Sequence, residues 1–328
     1  MKLQAVAENW LFAEPFHITG YTMTGVDVVV VTLEHDGCTG RAEAAGVYYL
    51  GDDVPRMLQQ LGQARASVEA GVDRGSLQQL LPPGGARNAL DCAWWDLEAK
   101  LCGQPVWQLA GLEEPGPMLT TFTCGAGSPE KMAATARGYA NARAIKLKLT
   151  GERIDEDRVR AVRAACPRVW LGVDANQGFD RDALERLMPV LIEMRVELIE
   201  QPFRRGEEAA LAGLRSPIPI AADESVQHLG DLPALVGKVD IINIKLDKCG
   251  GLTEGLAMAR AARELGLGLM VGNMLGTSLA MAPAALLGQF CQIVDLDGPV
   301  FLRNDREPTV RYRDGRVTCP TDLWGYPG

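Results

Sequence analysis

Histidine is scarce in this sequence: there are three in 328 residues, at positions 17, 35 and 228. None stands in a serine-and-acid pattern, and G-T-S-L-A at 276–280 is not G-x-S-x-G. There is no G-x-G-x-x-G either, so nucleophilic hydrolysis and hydride transfer find no support. Basic residues are also short: 33 lysines and arginines face 42 aspartates and glutamates, a formal charge of −9. That balance leaves no continuous basic footprint for nucleic acid or an anionic membrane. The eight cysteines contain no C-x-x-C pair. In a chain long enough to need no staples they read as mostly buried free thiols of a cytosolic protein. Residues 1–8 lack the apolar stretch of a signal peptide. The one long uncharged run, 265–294, is broken by Asn273, Thr277, Ser278, Pro283 and Gln289; it reads as strand, loop, helix and strand rather than a bilayer span.

What is present is globular, with 47% hydrophobic and 23% charged residues, and the length suits two ordinary domains or one (β/α)₈ barrel with additions. The first third reads as α+β. Val28–Leu33 is a β-branched run, Asp36-Gly37 a turn signal, and Arg41–Ala45 a second strand. From Ala86 to Leu101 apolar residues recur at spacings of three and four, which predicts an amphipathic helix packed by one face, stopped by Gly103 and Pro105. After the turn-rich Gly111–Pro117 the texture becomes eight short apolar runs: 119–124, 144–148, 169–174, 196–200, 218–223, 239–245, 267–272 and 292–297. Alternating strands and helices imply a parallel sheet, and eight units imply closure into a barrel.

The polar residues that end these runs are regularly spaced. Lys148 to Asp174 is 26 residues, to Glu200 another 26, to Asp223 another 23, and to Lys245 another 22. Each gap is one strand, one helix and two loops, so all five arrive at the same face of the barrel. Asp174, Glu200 and Asp223 are hard oxygen donors of the kind that suits Mg²⁺. Singly, each could as well cap a strand or pair in a salt bridge. Lys146 and Lys148 alternate with Leu147 and so point the same way, with Lys245 across the barrel. Beside a divalent cation a buried lysine is expected to move from about 10.4 towards 7–8, roughly 3–5 kcal/mol of differential interaction, and so to become a base. Two such bases facing each other suit removal of a proton from one face of a carbon next to a carboxylate and its return on the other, with the enediolate charge held by fixed cations.

K-L-K (146–148), V-D-A-N-Q-G (173–178), I-E-Q-P (199–202), A-D-E-S (222–225), N-I-K-L-D-K-C-G-G (243–251) and D-L-D-G-P (295–299) resemble the enolase superfamily, muconate-lactonizing subgroup, and within it the dipeptide epimerases. The likeness extends to R-N-A-L-D-C-A-W-W-D-L-E-A-K (87–100) and M-L-G-T-S-L-A-M-A-P-A (274–284). The resemblance implies a modified (β/α)₇β barrel over residues 117–299, with an α+β capping domain from residues 1–116 onto which 300–328 packs back. It implies Asp174, Glu200 and Asp223 as ligands of one Mg²⁺ per subunit, Lys148 and Lys245 as the acid/base pair, and Lys146 as an electrostatic aid. Asn176 and Glu224 would orient the ligands. Asp295 and Asp297 would receive the α-ammonium of a dipeptide in a cytoplasmic homo-oligomer. The cap loops are expected to order over substrate. The first, 16–24, has no lysine or arginine and only His17 as a possible cation. The second, 44–53, carries Tyr48, Tyr49 and Leu50. Together they favour a neutral or apolar side chain over glutamate. Two readings compete: an N-acyl amino acid racemase or o-succinylbenzoate synthase, which leaves Asp297 idle, and a noncatalytic metal-binding barrel.

Overall fold

A computed structural model describes residues 1–211, 213–214 and 216–327. The chain begins as an antiparallel sheet of β1 (Lys2–Ile18), β2 (Tyr21–His35) and β3 (Cys38–Ala44), in that order. The valine run 28–31 of β2 is buried, and Asp36 and Gly37 take positive φ (48° and 77°) in the tight turn to β3. β1 has no β-branched run to announce it; it forms by pairing along β2 from Lys2↔Glu34 to Ile18↔Tyr21, with an irregularity between Leu11 and Phe16. The stretch read as a loop at 16–24 is therefore the closed tip of a hairpin, turning at Thr19-Gly20.

Two helices follow, α1 (Val54–Glu69) and α2 (Arg74–Leu80), capped by Asp53 and Asp73 side chains that accept from Arg56 N and Ser76 N. Next comes α3 (Gly85–Cys102). It is not packed by one face as its periodicity suggests: both its apolar stripe and its polar residues Arg87, Asn88, Asp91 and Asp96 are buried. The sheet covers one side and the barrel the other. A Cβ on Gly40 of β3 would lie 2.2 Å from the Ala93 carbonyl oxygen, so strand and helix meet backbone to backbone.

A short strand β4 (Met118–Leu119) leads into eight parallel strands: β5 (Thr121–Cys124), β6 (Ala144–Lys148), β7 (Trp170–Asp174), β8 (Leu198–Glu200), β9 (Ile220–Ala222), β10 (Ile241–Ile244), β11 (Gly268–Val271) and β12 (Ile293–Val294). They lie side by side in sequence order, a nearly closed TIM-type barrel. Side chains join its first and last strands: Thr123 N donates to Asp297, and Leu296 N to Thr120 Oγ1. Residues 265–294 supply β11, a loop, the helix Ser278–Gly288 and β12, and among the described residues no helix is long and apolar enough to cross a membrane.

The C-terminal segment returns to the start of the chain. Leu302 bridges Phe12, Arg303 N donates to Leu11 O, and Trp324 Nε1 donates to Cys92 O on α3. Its hairpin, β13 (Arg311–Arg313) and β14 (Arg316–Thr318), pairs with β4. The cysteines are less buried than expected: Cys92, Cys124 and Cys249 are buried, Cys38, Cys166, Cys291 and Cys319 half-buried, and Cys102 exposed, all as free thiols.

Candidate active site

Strand register brings the polar ends together. Lys148 pairs with Asp174 and Asp174 with Glu200 across three adjacent strands, so the three side chains leave the barrel at one level. Asp223, just past β9, and Lys245, just past β10, continue the ring. Lys148 Nζ lies 2.5 Å from Asp174 Oδ2, and Lys245 Nζ lies 2.7 Å from Asp223 Oδ2. Lys146 reaches Glu200 Oε2 at 3.2 Å and Asp174 Oδ2 at 3.7 Å, and it donates to Asp295. Asn176 N donates to Asp174 Oδ1 at 2.8 Å, and Asn176 Nδ2 to Glu224 Oε1 at 3.3 Å.

Six buried carboxylates (Asp174, Glu200, Asp223, Glu224, Asp295, Asp297) share this end with four buried ammoniums, Lys146, Lys148, Lys245 and Lys248. The excess of negative charge shows in the acidities. Burial, with Asp174 beside it, pushes Glu200 up to about 7. Burial, then Asp223 and Asp174, pushes Glu224 up to about 8, and burial with Asp295 pushes Asp297 up to about 7. Burial also opposes the charge of Asp223, but Lys245 and Lys248 outweigh it and hold that carboxyl far below its ordinary range.

Two of the lysines, Lys245 and Lys146, are shifted upward. Burial alone would lower Lys245, but Asp223 and Glu200 overcome it and hold the ammonium above the usual lysine range. Lys146 is raised likewise, burial being outweighed by Asp295, Glu200 and Asp174. The expectation of a lowered base supposed a cation already neutralising these carboxylates; here the ammoniums perform that neutralisation.

The donor set has the chemistry a divalent cation requires: three carboxylates on consecutive strands, a surplus of negative charge, and buried acceptors on Asn176 (Oδ1) and Glu224 (Oε2) with no hydrogen-bond partner. The spacing is wider than that chemistry asks. Among the described residues no three acidic, thiol or imidazole side chains stand close enough to hold an ion; Lys148 and Lys245 each contact one of the three carboxylates.

Above this floor lies a pocket open to solvent. Lys146, Lys148, Asn176, Asp223, Glu224, Lys245, Asp295 and Asp297 line its base, and the cap residues Phe16, Ile18, Met23, Tyr48 and Tyr49 line its rim. Asp174 and Glu200 lie beneath, fully buried. His17 does not reach this space: it alternates with Phe16 and Ile18 on β1, faces the neighbouring groove, and its Nδ1 sits 2.9 Å from Thr22 Oγ1. The two aspartates also differ. Both oxygens of Asp295 are engaged, by Thr121 Oγ1 and Lys146 Nζ, whereas Asp297 spends one on Thr123 N at 2.7 Å.

Sequence reasoning missed several participants. Lys248 donates to Asp223 Oδ1 at 2.6 Å, and Asn243 Nδ2 to Glu200 Oε1 at 2.7 Å. Asn243 could have been found, since it lies two positions before Lys245 on the same face. Met274 and Leu275 of the quoted seventh-strand motif, and Phe301, complete the apolar wall; nothing in the sequence pointed to Phe301.

Known proteins match the chain over its length. A family profile described as the mandelate racemase/muconate lactonizing enzyme N-terminal domain matches residues 1–111, and one described as enolase C-terminal domain-like matches residues 131–326. L-Ala-D/L-Glu epimerase of Escherichia coli K12 is 39% identical over 94% of this chain and 97% of its own. N-acetyl-D-glutamate racemase of a Pseudoalteromonas species is also 39% identical, over 77% of this chain and 80% of its own. A crystal structure of an enolase family member from Agrobacterium tumefaciens with homology to dipeptide epimerases, holding sodium and L-Ala-L-Glu, superposes with a TM-score of 0.95 at 42% identity, covering 98% of this chain and 99% of that one. Six of the eight strand ends, gathering lysines against carboxylates beneath the N-terminal sheet, thus accord with the sequence matches: the chain belongs to the mandelate racemase/muconate lactonizing enzyme family of the enolase superfamily and is an isomerase of its racemase and epimerase kind.

Proposed function

We propose that this enzyme inverts the α-carbon at the C-terminal residue of a dipeptide whose side chain is neutral or apolar. The observation that carries the reading is the pair Lys148 and Lys245, on strands four apart in a series of eight and lining one pocket from opposite sides. One lysine takes the α-proton from its face, the other delivers a proton to the opposite face, and the charge developing on the substrate carboxylate meets the ammonium of Lys146. Asp174, Glu200 and Asp223 would hold one Mg²⁺, which supplies Lewis-acid stabilisation of that charge. Asn176, Asn243, Glu224 and Lys248 orient the carboxylates. Asp297 receives the substrate's ammonium, and Asp295 lies beside it.

The neutral side chain is argued from the rim: Phe16, Ile18, Met23, Tyr48, Tyr49, Met274, Leu275 and Phe301 are apolar or aromatic, and among the described residues no arginine lines the pocket. A glutamate side chain would lose its water there without gaining a cation of its own. Residues 1–116 with 300–328 make the cap in this reading, and 117–299 the barrel.

The test is a dipeptide library in D₂O with Mg²⁺, followed by mass: dipeptides with apolar C-terminal residues are expected to gain one deuteron faster than L-Ala-L-Glu. Faster exchange of L-Ala-L-Glu would remove the side-chain assignment. The 39% identity to an N-acetyl-D-glutamate racemase favours a second reading, racemisation of N-acyl amino acids. Turnover of N-acetylated substrates at the rate of free dipeptides would select it.

A further inference from the structure

The turn that carries Tyr48 and Tyr49 over the pocket is braced from the barrel by one side chain. Asp247, buried and two residues after Lys245, accepts from Ala45 N at 3.0 Å, from Gly46 N at 3.4 Å and from Asn88 Nδ2 at 3.2 Å. All three bonds fall on Oδ1. Ala45 and Gly46 lie beyond the end of β3, so this carboxylate supplies partners for two amides that no strand reaches.

The loop has little freedom around that anchor. A Cβ on Gly46 would lie 2.2 Å from Asp52 O, and one on Gly85 would lie 2.7 Å from Gly46 Cα, so the loop backbone rests on the start of α3. Asp52 closes the far end by accepting from Gly85 N at 2.7 Å. Between the two anchors Tyr48 meets Tyr21 edge-on at 4.7 Å and Tyr49 at 5.3 Å, while the Tyr49 hydroxyl accepts from Gln227 Nε2 at 3.1 Å. This segment forms a wall of the pocket that is tied down on both sides of the two tyrosines.

Asp247 shares the four-residue helical turn Leu246–Cys249, whose first flanking residue is Lys245. The wall therefore cannot move relative to that lysine without breaking the Asp247 bonds. We propose that Asp247 is a positioning residue that sets the separation between Lys245 and the Tyr48–Tyr49 wall, and through it the enzyme's selectivity for the substrate side chain; this rests on the dipeptide reading above.

The experiment compares Asp247→Ala with Asp247→Asn. Asparagine keeps Oδ1 and with it all three bonds, so its selectivity should match wild type; alanine frees the wall. For Asp247→Ala, kcat/KM for dipeptides with a large apolar C-terminal residue should fall about tenfold through KM, whereas a C-terminal alanine should lose less than about threefold, since an apolar pocket discriminates by contact. Amide exchange over residues 45–50 should quicken in Asp247→Ala and stay at the wild-type rate in Asp247→Asn. Asn88→Ala, which removes one of the three bonds, should move both readouts the same way by less, and it serves if Asp247→Ala does not fold. An unchanged side-chain ratio, an equal loss on every dipeptide, or an asparagine variant that behaves like alanine would overturn the proposal. If the wild type turns over no dipeptide, the functional reading fails by itself, and unchanged exchange over 45–50 would then still overturn the anchor.

Discussion

Lys148 and Lys245 are each paired with a carboxylate on the floor of the pocket, so in the proposed mechanism a substitution at either removes a base, while Asp174 keeps Lys146 nearby and Asp223 keeps Lys248. Lys148→Ala and Lys245→Ala are each expected to lower epimerisation by at least about 10²-fold, because both proton transfers are needed. Each variant should still exchange deuterium into one enantiomer only, and the two should choose opposite ones, read by mass from each pure enantiomer. Asp247 gives a separate prediction through pH. Burial, only partly offset by the Ala45 and Asn88 bonds, raises its carboxyl from 3.8 to about 6. A raised carboxyl means that the folded chain binds the proton more tightly than the unfolded one, so the cost of burying the charge is absent below about pH 4 and complete above about pH 6. Asp247→Asn removes that cost, and its stability advantage over wild type should widen from pH 4 to pH 7 by up to about 3 kcal/mol, measured by denaturant midpoints. A constant difference would contradict the buried charge. The strand-end lysines and carboxylates were legible because one per βα unit recurs at a nearly fixed spacing. Their pairing was not: which ammonium neutralises which carboxylate depends on register and reach, so Lys248 and Asn243 went unassigned.

The helix α3 shows the same limit at the scale of an element. Its apolar period is real, but a two-layer reading sends Arg87, Asp91 and Asp96 to solvent, whereas each is consumed inside. Arg87 donates to Cys249 O, Asp91 accepts from Thr253 N, and Asp96 accepts from Gly325 N. Polar residues that complete a layer above look in sequence like an exposed face. β1 escaped notice for a different reason: it pairs along β2 by backbone, and its side chains carry no strand signal. The contact between β3 and α3 can be tested directly. Gly40→Ala would drive a methyl into Ala93 O at 2.2 Å and Leu97 N at 2.5 Å, backbone atoms that cannot rotate aside. Overpacking of that kind should destabilise the protein by about 3 kcal/mol, seen as a lowered thermal midpoint. A variant as stable as wild type would mean that strand and helix are not in direct contact.

At the scale of the whole molecule the barrel concentrates its charge at one end. The surplus of carboxylates over ammoniums there is a standing cost to the folded state, since Glu200 is pushed up to about 7 by burial and by Asp174, and Glu224 to about 8 by burial and by Asp223. A divalent cation bound by the folded chain and not by the unfolded one would offset that cost and add stability by mass action, about 2.7 kcal/mol at a concentration one hundred times Kd. Millimolar Mg²⁺ is therefore expected to raise the thermal midpoint, and a chelator to return it. Asp174→Asn, Glu200→Gln and Asp223→Asn should each erase the Mg²⁺-dependent rise, because each takes one oxygen donor and one charge from the set. Asp297→Asn should keep the full rise while losing dipeptide turnover, since Asp297 is tied to Thr123 on β5 rather than to the three carboxylates. The melts need no substrate, so they judge the cation independently of what the enzyme epimerises. A midpoint indifferent to Mg²⁺ in the wild type would remove the metal, and loss of the rise in Asp297→Asn would place that residue among its ligands instead of at the substrate's ammonium.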